Sequence, residues 1–166
     1  MRPIALCVLL SGCELLDKLG DSGFGSDNPC IASAESDSSG ERVFASGGAV
    51  DAIFQGGNAG YDNDVWLDAP STVHIGQLHE SPSGTQVSLG SFTVGEELVF
   101  RIDTPDGYSW FTGPASRNAD GLAHARVVRL DNGEYHIGFE DLEGGGDGDF
   151  DDTCIVVTGS VSLLGR

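Results

Sequence analysis

The sequence predicts an all-β fold, an antiparallel β-sandwich of jelly-roll type, on three observations. Its strongest apolar segments are short and β-branched, they alternate with period two, and Gly-, Asp-, Asn- and Pro-containing turns separate them. Gly at 25 of 166 residues and a single Met point the same way, to many strands and few helices. The length suits one domain, large enough to bury a core that needs no internal staples.

The chain opens with a short export signal over residues 1–12. Met1-Arg2 supplies a basic start, an apolar run follows to Leu10, and small residues precede a cut site. Leu10-Ser11-Gly12-Cys13 resembles the lipobox of bacterial lipoproteins, which implies cleavage before Cys13 and lipid on its sulfur. Glu14 follows the Cys, which points to the outer membrane. Eight apolar residues cannot span a bilayer, so the membrane is expected to be touched only through that lipid. Residues 13–41 then read as a lipidated tether rich in Gly, Ser and Asp. Gly20-Asp21-Ser22-Gly23 within it looks like a protease nucleophile turn, but no His precedes it and that turn requires a packed β-barrel around it, so it reads as linker.

The folded domain is expected over residues 42–163. Val65 and Leu67 alternate with Trp66, and Val87 and Leu89 with Ser88. Leu98, Phe100 and Ile102 alternate with Val99 and Arg101, and Tyr135, Ile137 and Phe139 with His136, Gly138 and Glu140. Phe100, Ile102, Ile137, Phe139 and Val156 are the expected core. Asp131-Asn132-Gly133 is the clearest hairpin signal, joining residues 127–130 to residues 134–140. Two cysteines remain after the signal and the lipid site. Cys30 and Cys154 are an even pair in an exported chain and are expected to form a disulfide.

The hairpin's second strand runs into residues 139–152, Phe-Glu-Asp-Leu-Glu-Gly-Gly-Gly-Asp-Gly-Asp-Phe-Asp-Asp. Glu140, Asp141, Glu143, Asp147, Asp149, Asp151 and Asp152 crowd there among four glycines. Neighbouring carboxylates raise one another's pKa unless a cation neutralises them, and glycines let several oxygens converge. Hard oxygens on a flexible loop suit Ca²⁺ better than the strict octahedron of Mg²⁺. Asp147, Asp149 and Asp151 open like an EF-hand, but Asp152 and Thr158 stand where that loop needs Gly and Glu, and a strand follows where a helix should. The likeliest ligands on this reading are Asp147, Asp149 and Asp152, then Asp151 and Glu140, with Phe150 turned inward to pin the loop. Asn118 and Asp120, just before the strand that pairs with residues 134–140 and so expected near the acidic loop, are further candidates, and His124 is an expected hydrogen-bond partner behind them.

Four motifs in order carry a family likeness. They are Gly56-Gly-Asn-Ala-Gly-Tyr-Asp-Asn-Asp-Val-Trp-Leu67, Leu89-Gly-Ser-Phe-Thr-Val-Gly-Glu-Glu-Leu-Val-Phe100, Thr112-Gly-Pro-Ala-Ser-Arg-Asn-Ala-Asp-Gly-Leu-Ala-His124 and residues 138–152. Over about residues 48–158 the chain resembles the bacterial domain-of-unknown-function family 4114. The resemblance implies an all-β extracellular module of secreted, surface-anchored and adhesin-like proteins, with a calcium site in the last motif and no catalytic activity. Asp151 stands where the family usually has Asn.

Charge narrows the function further. A formal −18 with eight basic residues excludes nucleic acid as a partner, since phosphate contacts need a Lys/Arg surface. The expected function is a lipid-anchored, calcium-binding module with a structural or adhesive role, its partner a glycan or a surface protein. The alternative is a carbohydrate hydrolase using paired carboxylates such as Glu140 and Asp147. Against it, the chain shows no nucleophile elbow or phosphate loop, and His74, His79 and His136 have no zinc spacing.

Overall fold

The computed structural model describes residues 40–163. The expected signal segment, Cys13, Cys30 and the expected tether as far as residue 39 lie outside the described residues.

Nine strands form, and among the described residues no α-helix occurs. They are β1 (Val43–Gly56), β2 (Asp64–Ala69), β3 (Val73–Gln77), β4 (Thr85–Phe92), β5 (Glu97–Asp103), β6 (Ser109–Phe111), β7 (Ala125–Arg129), β8 (Tyr135–Phe139) and β9 (Thr153–Ser162). Every ladder is antiparallel. The hydrogen-bonded path runs β3-β2-β5-β1-β9-β8-β7, with β4 added on β1 and β6 on β5. The sheet is open, with β3 and β7 at the two ends of that path.

The hydrogen-bonded ladders of two groups of strands join through Val43↔Leu98 and Phe44↔Glu97, where the start of β1 pairs with β5. The rest of β1 pairs with β4 on one side and β9 on the other. Alternation explains the burial along most strands: Val65 and Leu67 are buried while Trp66 is not, and Phe100 and Ile102 are buried while Arg101 is not. Phe100, Ile102, Ile137, Phe139 and Val156 are all core residues, as expected.

The hairpin forms as the Asp-Asn-Gly sequence requires, pairing Ala125↔Phe139 through Arg129↔Tyr135. Strand β8 departs from simple alternation, because all five of its residues are buried. Its outward-facing Gly138 is covered by the backbone of Phe150, and a Cβ there would lie 2.1 Å from the Phe150 carbonyl oxygen.

The register brings the acidic segment together with distant loops. Phe139 at the end of β8 lies opposite Ala125, the start of β7, and Thr153, the start of β9. Gly56 at the end of β1 lies opposite Cys154. Residues 57–63, 112–124 and 140–152 therefore gather at one end of the sheet.

Candidate metal centre

Glu140 anchors the site. It follows β8 directly, its N–H donates to the His124 carbonyl at 3.0 Å, and its side chain is 1% exposed. Its Oε1 accepts the Phe150 N–H at 2.6 Å. Its Oε2 is buried with no hydrogen-bond partner and faces the backbone of Gly146, where a Cβ would lie 2.1 Å from it. Asp147 and Asp149 each bring a carboxylate oxygen to this group, and one oxygen from each of the three lies within 4.8 Å of the others. Burial pushes the Glu140 carboxyl above its ordinary pKa, and the charges of Asp149 and Asp147 push it further.

Phe150 does not turn into the core, which is where the sequence reading put it. It is half-buried, with φ +61°, in the left-handed region that costs a non-glycine residue about 1–3 kcal/mol. Three contacts impose that conformation: its N–H on Glu140, its carbonyl over Gly138, and its ring under the Arg126 guanidinium at 4.8 Å. Arg126 also donates to the Asp149 carbonyl.

The other candidate ligands lie around this group without joining it. Asp151 is 7% exposed, its N–H donates to Asp149 Oδ1 at 3.1 Å, and burial followed by the Asp149 charge raises its pKa. Asp152 accepts the Asp141 N–H at 2.9 Å, and burial, with Asp141 and Glu140 adding, lifts its pKa to about 7. Asp141 is 4% exposed and accepts from Asn63 Nδ2 at 2.8 Å.

Asn118 and Asp120 are engaged in holding their own turn. Asn118 Oδ1 accepts the Phe111 N–H at 2.8 Å, and its Nδ2 donates to the Leu122 carbonyl at 2.7 Å. Asp120 accepts the N–H groups of Leu122 and Gly144, each at 3.0 Å, and pairs with His124 Nε2 at 2.8 Å. Burial would raise the Asp120 pKa, but the His124 bond and the two N–H donors hold it down to about 2. His124, fully buried, places Nδ1 3.0 Å from the Glu140 carbonyl and stacks on Trp110 at 3.8 Å. Trp110, also fully buried, donates Nε1–H to the Asp141 carbonyl at 2.8 Å. The Asp120–His124–Trp110 network thus grips the backbone of Glu140 and Asp141 from below.

Sequence reasoning missed Asn63, Trp110 and Arg126 as parts of this region. One signal was available: an isolated Gly inside a strand, Gly138, marks a close backbone approach. Its cross-strand partner is Arg126, the residue that holds the approaching loop.

Residues 96–160 match the family model described as Domain of unknown function (DUF4114). The family likeness read from the sequence stands over that segment. It takes in β5 to β8, most of β9, the three-carboxylate group and the Asp120–His124–Trp110 network. The motif from Gly56 to Leu67 precedes the DUF4114 match. No curated protein matches the chain. Among the described residues no helix is long and apolar enough to cross a membrane. Cys154 is disulfide-bonded and fully buried; its expected partner, Cys30, lies outside the described residues.

Proposed function

We propose that the protein is a calcium-stabilised β-sandwich module of the cell envelope, with Ca²⁺ held by Glu140, Asp147 and Asp149. One observation carries this reading: Glu140 Oε2 is buried beside two further carboxylates and accepts no hydrogen bond. An unsatisfied buried acceptor costs on the order of 1–3 kcal/mol, more when charged, and a cation removes that cost. The three donors are all carboxylate oxygens, two of them exposed on a glycine-rich loop. That set suits a hard cation with flexible coordination.

The role that follows is structural support for binding. A cation ties the 140–152 loop to the end of β8, which gives the module a fixed end with which to hold a glycan or a surface protein. The lipobox supports an anchor at Cys13 on the outer membrane, and Cys30 is the proposed partner of Cys154. Calorimetric titration with CaCl₂ tests the metal: binding to the wild-type chain that Asp149→Ala weakens at least tenfold supports it, and no binding heat at neutral pH overturns it. The anchor is tested separately, because Cys13→Ala should move the protein out of the membrane fraction.

A further inference from the structure

One peptide unit joins the candidate metal centre to strand β7. In the trans peptide between Asp149 and Phe150 the carbonyl and the N–H point opposite ways. The N–H donates to Glu140 Oε1 at 2.6 Å, and the carbonyl accepts from the Arg126 guanidinium. That guanidinium also lies over the Phe150 ring, 4.8 Å from its centroid. Arg126 stands opposite Gly138 in the β7–β8 ladder, and the next carbonyl, that of Phe150, rests on Gly138. Among the described residues Phe150 is the one non-glycine with positive φ, at +61°. Turning the 149–150 peptide over would return Phe150 to the negative φ that side chains prefer. It would also take the donor from Glu140 Oε1 and aim the Asp149 carbonyl oxygen there instead, against a carboxylate whose Oε2 already lacks a partner.

We infer that Arg126 is a positioning residue of the calcium centre: it holds the 149–150 peptide in the strained orientation that lets Glu140 and Asp149 share an ion. The inference rests on the calcium reading above and adds a requirement to it. Guanidinium, peptide and carboxylate form a chain in which each hydrogen bond polarises the next, so the Arg126 charge strengthens the N–H that Glu140 accepts. The sign of the effect separates positioning from bare charge. A fixed cation beside a cation site repels the ion, so by charge alone the loss of Arg126 should tighten calcium binding. By positioning, its loss should weaken binding, because only chains with the peptide held in this orientation are competent.

Calorimetric titration of the full chain with CaCl₂ at pH 7.5 reads that sign, with circular dichroism in chelator as the check on folding. Arg126→Ala should weaken calcium binding about tenfold, in proportion to the lost competent fraction. Arg126→Met, which keeps the apolar stem, is the second variant should Arg126→Ala unfold, and the same weakening is expected of it. Phe150→Gly added to either should recover most of the lost affinity, because glycine adopts positive φ without strain. Loss of a merely structural contact would not be reversed that way. Calcium binding that is unchanged or tighter without Arg126 overturns the inference and leaves the calcium centre standing. Weaker binding that Phe150→Gly does not recover also overturns it. A wild-type chain that binds no calcium overturns the calcium reading and this inference with it.

Discussion

Gly138 decides whether the acidic loop can close, because the Phe150 carbonyl occupies the space a Cβ would take, at 2.1 Å. The obstacle is backbone, so no rotamer change relieves it. Gly138→Ala is expected to cost about 1–3 kcal/mol, the range for overpacking, and to remove the calcium-dependent part of stability by lifting Phe150 and Asp149. Urea unfolding with and without calcium checks both. Asp152 gives a pH prediction for the metal-free protein. Its folded pKa of about 7 exceeds the unfolded value of roughly 4. Between those values the unfolded chain binds fewer protons, so metal-free stability falls as pH rises toward 7. Metal-free protein should melt lower at pH 8 than at pH 5, and Asp152→Asn should shrink that difference. The carboxylates themselves were legible in the sequence because their density is local. Asn63 and Trp110 were not: one is an ordinary polar residue before a strand, the other an aromatic far from the acidic segment in the sequence, and only the fold brings them to Asp141.

At the scale of elements, the β7–β8 hairpin was legible because its turn sequence and alternation are contiguous. The full run of β1 was not, since Gly47 and Gly48 interrupt its pattern and its ladder register shifts between Val50 and Asp51. Strand β8 was read as half-exposed, yet its Gly138 and the following Glu140 are covered by the loop that leaves the strand. That loop in turn depends on β6, through the Trp110 Nε1–H on the Asp141 carbonyl. Trp110→Phe keeps an aromatic ring in the core but leaves that buried carbonyl without its donor, which is expected to cost about 1–3 kcal/mol in chemical denaturation. It should also weaken calcium binding, because Asp141 and Glu140 are adjacent on the chain.

At the scale of the whole molecule, an open antiparallel sheet gathers three loops at one end, and a chain of net charge −18 concentrates carboxylates there. Such a surface repels itself unless cations screen or bind it. The antiparallel class was legible from period-two patterning, but which loops share an end depends on strand order, which no local pattern carries. The central claim is that a cation bound at Glu140, Asp147 and Asp149 holds this end together. A ligand that binds only the folded state at a hundredfold excess over its Kd adds about 2.7 kcal/mol, which for a domain of this size is on the order of 10 °C. The most direct measurement is a melting curve at pH 7.5 in millimolar calcium and again in excess chelator, for wild type and Asp149→Ala. The account requires a higher melting temperature with calcium in the wild type and a much smaller difference in the variant; a wild-type curve identical in calcium and in chelator would contradict it.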